Sequence, residues 1–327
     1  MLKIEKKLFT SQPFGESARL LRLNYQKLLL VNLQGYFDSI DNLLKIDLSE
    51  PKAKLDRLNV ERRFSPLIYS IFTKLSKACQ EKNLTNAIDS IHQINISPEN
   101  CFYNDDFDFT TILTERWEDE FVNRIRNENV PNKSNETLLI LPILNKNLTH
   151  YVNIYNDLNK RLANIDFELK LEIDYLVSRL KLFNGKSLKA ATSASIFGAI
   201  YLKLPPKSED DFTYFADHII HETSHLTLDI LLSFDKIVLN ENHERFKAPI
   251  RIDPRPMFGI FHATFVLSRM VRIFQRLAQE SKEKAILERL GIFKRQFNEG
   301  LETVEKYAVL SDNGKQIKDS LVLTAEI

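Results

Sequence analysis

Asp217-His218-Ile219-Ile220-His221-Glu222-Thr223-Ser224-His225 carries two patterns at once. Ile219, Ile220, Leu226, Leu228, Ile230 and Leu231 recur at helical intervals with no Gly or Pro among them, so the segment reads as a helix. On a helix, residues four apart share a face, with Cβ atoms about 5–6 Å apart. His221 and His225 can therefore aim two ring nitrogens at one ion, and Glu222, one residue round, can reach an oxygen bound to that ion. This is His-Glu-x-x-His, by which a helix holds a divalent metal through two imidazoles. The apolar flanks place all three polar groups in or beside a core, where each costs free energy unless something satisfies it. A metal would do so.

Ahead of this helix, Gly198-Ala199-Ile200-Tyr201-Leu202-Lys203-Leu204 reads as a strand stopped by Pro205-Pro206. The acidic run Ser208-Glu209-Asp210-Asp211 then suits a helix N-terminus. A strand edge just before a metal-binding helix could hold an extended peptide by backbone pairing. Behind the helix, Asp235 to Lys247 is polar loop, and a proline-rich connector, Pro249 to Pro256, leads into an apolar helix from about Phe258 to Ala278. His262 sits in the first turns of that helix, and Arg269, seven residues on, shares its face. The rest, 281–327, reads as a helix, a break at Gly291, a helix to about Leu310, and a tail.

Towards the N-terminus, helical spacing runs through 16–45, with a break expected at Gly35, and through 66–93. Residues 94–112 read as loop, whose Asp105-Asp106-Phe107-Asp108 run is solvated rather than metal-binding because nothing fixes its carboxylates in register. A helix over 115–126 and the turn-rich Val130 to Asn135 follow, then an apolar run at 138–145 and a helix from about 147 to 163. Tyr175 to Phe183 leans towards strand, and Asn184-Gly185 carries a hairpin-turn signal. The expected fold is α+β and predominantly helical. The metal-binding helix lies beside a small sheet and packs against a second helix carrying a third ligand. Two regions are expected: a helical 1–135, a candidate for peptide binding, and a catalytic domain at 136–327.

A catalytic metal wants a third protein ligand and open positions. Downstream candidates are Asp229, Asp235, Glu241, His243, Glu244, Asp253 and His262. Leu231 stands six residues past His225, and neither Gly nor His occupies the offsets at which a third ligand would come soon after the pair. Glu241 and Glu244 lie in a stretch without apolar period, so they read as loop. His262 is the best placed, on an apolar helix behind a stiff connector, although a lone His there also fits a satisfied core residue.

Taken together, His-Glu-x-Ser-His-Leu and Arg-x-Asp-Pro-Arg-Pro-x-x-Gly-x-x-His resemble the HExxH-motif peptide-modification proteins of gene clusters for ribosomally made, post-translationally modified peptides. The resemblance covers about residues 195–275, and two separated motifs agree in order and spacing. It implies an iron(II)- and 2-oxoglutarate-dependent oxygenase that hydroxylates a side-chain β-carbon of a precursor peptide. It also implies that His221, His225 and His262 bind the metal and that an arginine takes the 2-oxoglutarate carboxylate. Arg251, Arg255 and Arg269 are the choices, since guanidinium pairs with carboxylate in bidentate fashion. Glu222 is then a catalytic-site residue beside the metal. The alternatives are a zinc metallopeptidase, with Glu222 as base and a carboxylate third ligand, and a non-catalytic peptide-binding protein.

Composition narrows the rest. A net charge of +1, from 45 basic and 44 acidic residues, gives no electrostatic case for nucleic acid or an anionic membrane. Cys79 and Cys101 have no spacing motif, hence neither a disulfide framework nor a thiolate site, and a cytoplasmic location is expected. No uninterrupted apolar run approaches the ~18 residues of a membrane span.

Overall fold

The His221-to-His225 segment and the sheet residues fall in different compact units. The computed structural model describes residues 3–127, 140–144, 148–185 and 188–326. One unit comprises Met1–Leu21, Thr149–Leu176 and Pro205–Ile327; the other comprises Arg22–Leu148 and Val177–Leu204. The fold is α+β and predominantly helical, with a small mixed sheet.

The first unit contains α6 (Leu148–Ile165), α7 (Phe167–Leu176), α8 (Asp211–Phe234), α9 (Met257–Glu280), α10 (Lys284–Tyr307) and α11 (Asp312–Glu326). Helix α8 starts where the acidic run predicts: the Asp210 side chain accepts from the Thr213 N–H at 2.8 Å, and Asp211 lies in the first turn. Pro256 immediately precedes α9, whose fixed φ suits a helix entry. Helix α9 packs against α8, α10 and α11. It is long and apolar enough to cross a membrane, but its most apolar window is largely buried inside the protein. Its arginines are matched: Arg272 and Arg276 reach Asp166 at 2.5 and 3.1 Å, and Arg269 pairs with Glu172.

Two glycine breaks expected from the sequence do not occur. Helix α10 runs unbroken through Gly291, and α1 (Gly15–Leu44) runs unbroken through Gly35. Both glycines have open space where a Cβ would stand. A lone exposed glycine costs a helix about 1 kcal/mol, which the continuing apolar period offsets. The expected tail is α11, which buries Ile317 and Leu321.

In the second unit, α2 (Ser49–Asp56), α3 (Pro66–Gln80) and α4 (Leu84–Ile96) follow most of α1. The sheet contains β1 (Asp108–Thr111), β2 (Ile140–Leu141), β3 (Arg179–Gly185), β4 (Ala190–Ala191) and β5 (Ala199–Lys203), with α5 (Glu118–Asn127) after β1. Strand β3 lies parallel to both β1 and β5. Strand β1 overturns the loop reading of residues 108–111. Its partner, β3, is some seventy residues away, so no local pattern announces it. Asn184 and Gly185 form no hairpin turn between β3 and β4; they extend β3 and pair with Leu141 and Ile140 of β2. Strand β5 is not the expected open edge, because β3 lies on one side and β4 on the other. It opens at Gly198, whose φ of 91° leaves its carbonyl accepting from Ser178 and Arg179.

Buried Lys181, on β3, meets Glu115 at 2.7 Å, Glu118 at 3.4 Å and the Thr114 hydroxyl at 2.7 Å. This cluster is closed by its own partners. The expected division of the chain at 135 is not the one its contacts make, since both units draw on residues from each side of it. The turn-rich 130–135 itself lies outside the described residues.

Candidate metal centre

Helix α8 is buried at every position from Thr213 to Leu231 except His221, His225 and Asp229. The spacing of four puts these three residues in one stripe along the helix. The ligand atoms of His221, Glu222 and His225 all lie within 4.8 Å of one another. The two imidazoles stand edge to face, with centroids 4.6 Å apart. From α9, the ring of His262 stacks on that of His225, centroids 4.5 Å apart and planes 10° from parallel. The connector thus brings to the stripe the histidine that spacing singled out, and Phe258, one turn before it, also stacks on His262, with centroids 5.9 Å apart.

Burial pushes the His221 imidazole down to about 4, with neighbouring His218 and His262 acting in the same direction. His262 is pushed down to about 4 by burial, and His225 lies well below the ordinary range through burial and its two imidazole neighbours. All three are neutral at pH 7, the form that ligates a metal. Nδ1 of His225 is buried without a hydrogen-bond partner. A buried ring nitrogen without a partner, on an imidazole grouped with a second imidazole and a carboxylate, is what a divalent cation can satisfy. Three neutral imidazoles suit zinc, iron, copper or nickel better than magnesium or calcium. His218 belongs to the helix's own fabric: its Nδ1–H donates to the Tyr214 carbonyl at 2.9 Å.

Of the other expected residues, Glu222 is buried beside the pair. Arg269 does not face the site. It is fully buried and paired with Glu172 of α7, which also accepts from the Thr227 hydroxyl at 2.6 Å. The seven-residue spacing from His262 places Arg269 on the same side of α9 but two turns deeper, where α7 captures its head. Arg255 is half exposed, paired with Asp253 at 2.7 Å, and its backbone bridges to Phe246. Arg251 is exposed, with no ion pair among the described residues. Glu241 and His243 are exposed, and Glu244 accepts from Asn240 and the Glu241 N–H, so the loop carboxylates are engaged locally.

Asp229 gains weight in the structure. It was one of several downstream acids in the sequence; its signal was the interval of four beyond His225. Phe258 had a similar signal, four residues before His262. No family model matches the sequence, and no curated protein matches it.

Proposed function

We propose that this chain is an iron(II)- and 2-oxoglutarate-dependent oxygenase that hydroxylates a side-chain β-carbon of a ribosomally made precursor peptide. The observation that carries the reading is the meeting of His225 on α8 with His262 on α9, ring on ring at 4.5 Å, beside His221. It sets a third neutral imidazole, from a second helix, beside the His221-Glu222-His225 group whose ligand atoms lie within 4.8 Å of one another, and so supports a three-histidine set with coordination positions left for small molecules. The second support is the resemblance of the Arg251-to-His262 segment, which ends on that third histidine.

Iron(II) with bound 2-oxoglutarate would supply the chemistry of C–H hydroxylation with O₂ as oxidant: one oxygen atom would enter succinate as CO₂ is lost, and the other would enter the peptide. The chain holds and aims the reactants. His221, His225 and His262 would hold the iron. Arg255, or Arg251 beside it, offers a guanidinium to the distal carboxylate, a charge-assisted pair worth roughly 1.5–3 kcal/mol; Arg269 is already committed to Glu172. Glu222 orients ligands or substrate from beside the imidazoles.

A zinc peptidase is the second reading. It is favoured by the Glu222 carboxylate lying within 4.8 Å of both imidazoles, where a general base would stand. Purified protein with iron, 2-oxoglutarate and a candidate precursor peptide should form succinate and a peptide heavier by one oxygen. His221→Ala and His225→Ala should lose both iron and turnover. Peptide cleavage that requires zinc and falls about 10²–10⁴-fold in Glu222→Gln would replace the oxygenase with the peptidase.

A further inference from the structure

We infer that Asp229 reads a cation on the substrate, the ammonium or guanidinium of a basic residue, seated one helical turn from the metal centre. The inference rests on His221, His225 and His262 being the centre at which substrate reacts. Asp229 is the third member of the partly exposed stripe on α8, after the two ligand histidines. At a rise of 1.5 Å per residue it lies about 6 Å beyond His225 and about 12 Å beyond His221. Helical side chains lean towards the N-terminus, so an ion held by the two imidazoles sits on the far side of His225 from Asp229. A carboxylate on a single methylene is too short to join that coordination sphere. It is well placed for a group that binds next to it.

The Asp229 carboxylate has neither a hydrogen bond nor an ion pair among the described residues. Burial alone raises its pKa to about 6, with no counter-charge acting against the shift. Two cations of α9 are committed elsewhere, Arg269 to Glu172 and Arg272 to Asp166. A partly buried, unpaired carboxylate is unfavourable in the free protein, and a ligand cation would remove that penalty.

A groove is formed by residues that follow the stripe in sequence, together with Phe258 of α9. It is lined by Leu232, three residues past Asp229, by Ile237 and Val238, and by Phe258, whose ring lies against His262. Asp235 and Glu241 on its walls outweigh Lys236, so the groove is acidic over an apolar floor. A basic side chain suits both features: its methylene stem covers apolar surface while its head seeks the carboxylate.

The test compares Nα-acetyl-lysine N-methylamide with its norleucine analogue, and the arginine amide with the citrulline one, by ligand-observed NMR on metal-loaded protein. Wild type should favour at least one charged probe over its neutral partner by tenfold or more, and the choice of probe separates ammonium from guanidinium. With Mn(II) in the centre, side-chain protons of the favoured probe should broaden strongly, placing them near the metal. Asp229→Asn should erase the preference while binding the same amount of metal. Equal binding of charged and neutral probes, a preference that survives in Asp229→Asn, or loss of metal from that variant would overturn the inference. The preference needs no turnover. Charge selection without succinate formation would therefore refute the oxygenase and keep the cation seat, and succinate formation without charge selection would refute the seat alone.

Discussion

His221, His225 and His262 are held neutral by burial, and Asp229 is held above its ordinary range by the same cause, so the centre answers pH in two opposed ways. The histidines titrate near 6.5 when unfolded, and His221 and His262 near 4 when folded. Between those values the unfolded chain binds more protons, so their contribution is complete above pH 6.5 and is lost as pH falls through about 4. Metal affinity of the folded protein should be nearly flat from pH 8 to about 5 and then fall as protons compete for the imidazoles near pH 4, measured by metal-competition titration. Asp229 has the other sign. Its carboxyl titrates near 3.8 unfolded and about 6 folded, so its favourable contribution is present below pH 3.8 and is lost as pH rises through 6. Asp229→Asn should therefore stabilise the ligand-free protein at pH 7 by about 1–3 kcal/mol, with the gain vanishing near pH 4. Urea unfolding at the two pH values checks this, and destabilisation at pH 7 would mean that the carboxylate has a partner. A residue whose removal stabilises the free protein is one whose presence is explained by binding.

At the scale of elements, α7, α8 and α9 are tied together by one buried carboxylate, Glu172, which takes Arg269 from α9 and the Thr227 hydroxyl from α8. Removing one partner of such a pair leaves an uncompensated charge and costs roughly 3–5 kcal/mol. Arg269→Gln should thus lower the unfolding midpoint sharply and, under the proposed oxygenase reading, leave the 2-oxoglutarate requirement of the remaining folded protein unchanged. Arg255→Gln should do the reverse, raising that requirement about tenfold to a hundredfold with little effect on stability. Unfolding curves beside 2-oxoglutarate titrations separate the two. The contrast also marks how far sequence reaches. Helices α8 and α9 were legible because apolar period, acidic N-cap and proline entry are local signals, and His262 could be picked out because the connector fixes its approach. Arg269 misled because Glu172 lies 97 residues away, beyond any local pattern. Strand β1 was hidden for the same reason, as Asp108 to Thr111 become a strand through Arg179 to Leu182. Gly35 and Gly291 misled in the opposite direction: a local breaker signal was real but weaker than the helix around it.

Across the whole molecule, chain order and compact units do not coincide, and a fragment can test this. The first twenty-one residues belong with α8 and α9. Leu8 and Phe9 are buried. The Ser11 hydroxyl lies 2.9 and 2.6 Å from those of Ser320 and Thr324, and the Ser11 carbonyl accepts from Arg269 at 3.4 Å. Burying each large apolar side chain contributes about 1.5–3 kcal/mol, against a total stability of about 5–15 kcal/mol for a typical protein. A fragment of residues 136–327 would lose these contacts, and it would also strip β1 from β3, leaving an unpaired edge on a strand buried at Leu180, Lys181, Leu182 and Phe183. Lys181 would lose Glu115 and Glu118 in the same cut, which leaves an ammonium in the core with no counter-charge. The fragment should therefore unfold without a cooperative transition, bind a hydrophobic dye and retain little metal. Adding the peptide 1–21 should not repair it, because the sheet would still lack β1. Cooperative unfolding of 136–327 with one metal per chain would show instead that the catalytic part folds as a contiguous domain. The helices that carry His221, His225 and His262 would then depend far less on the N-terminal segment than the Ser11 contacts imply.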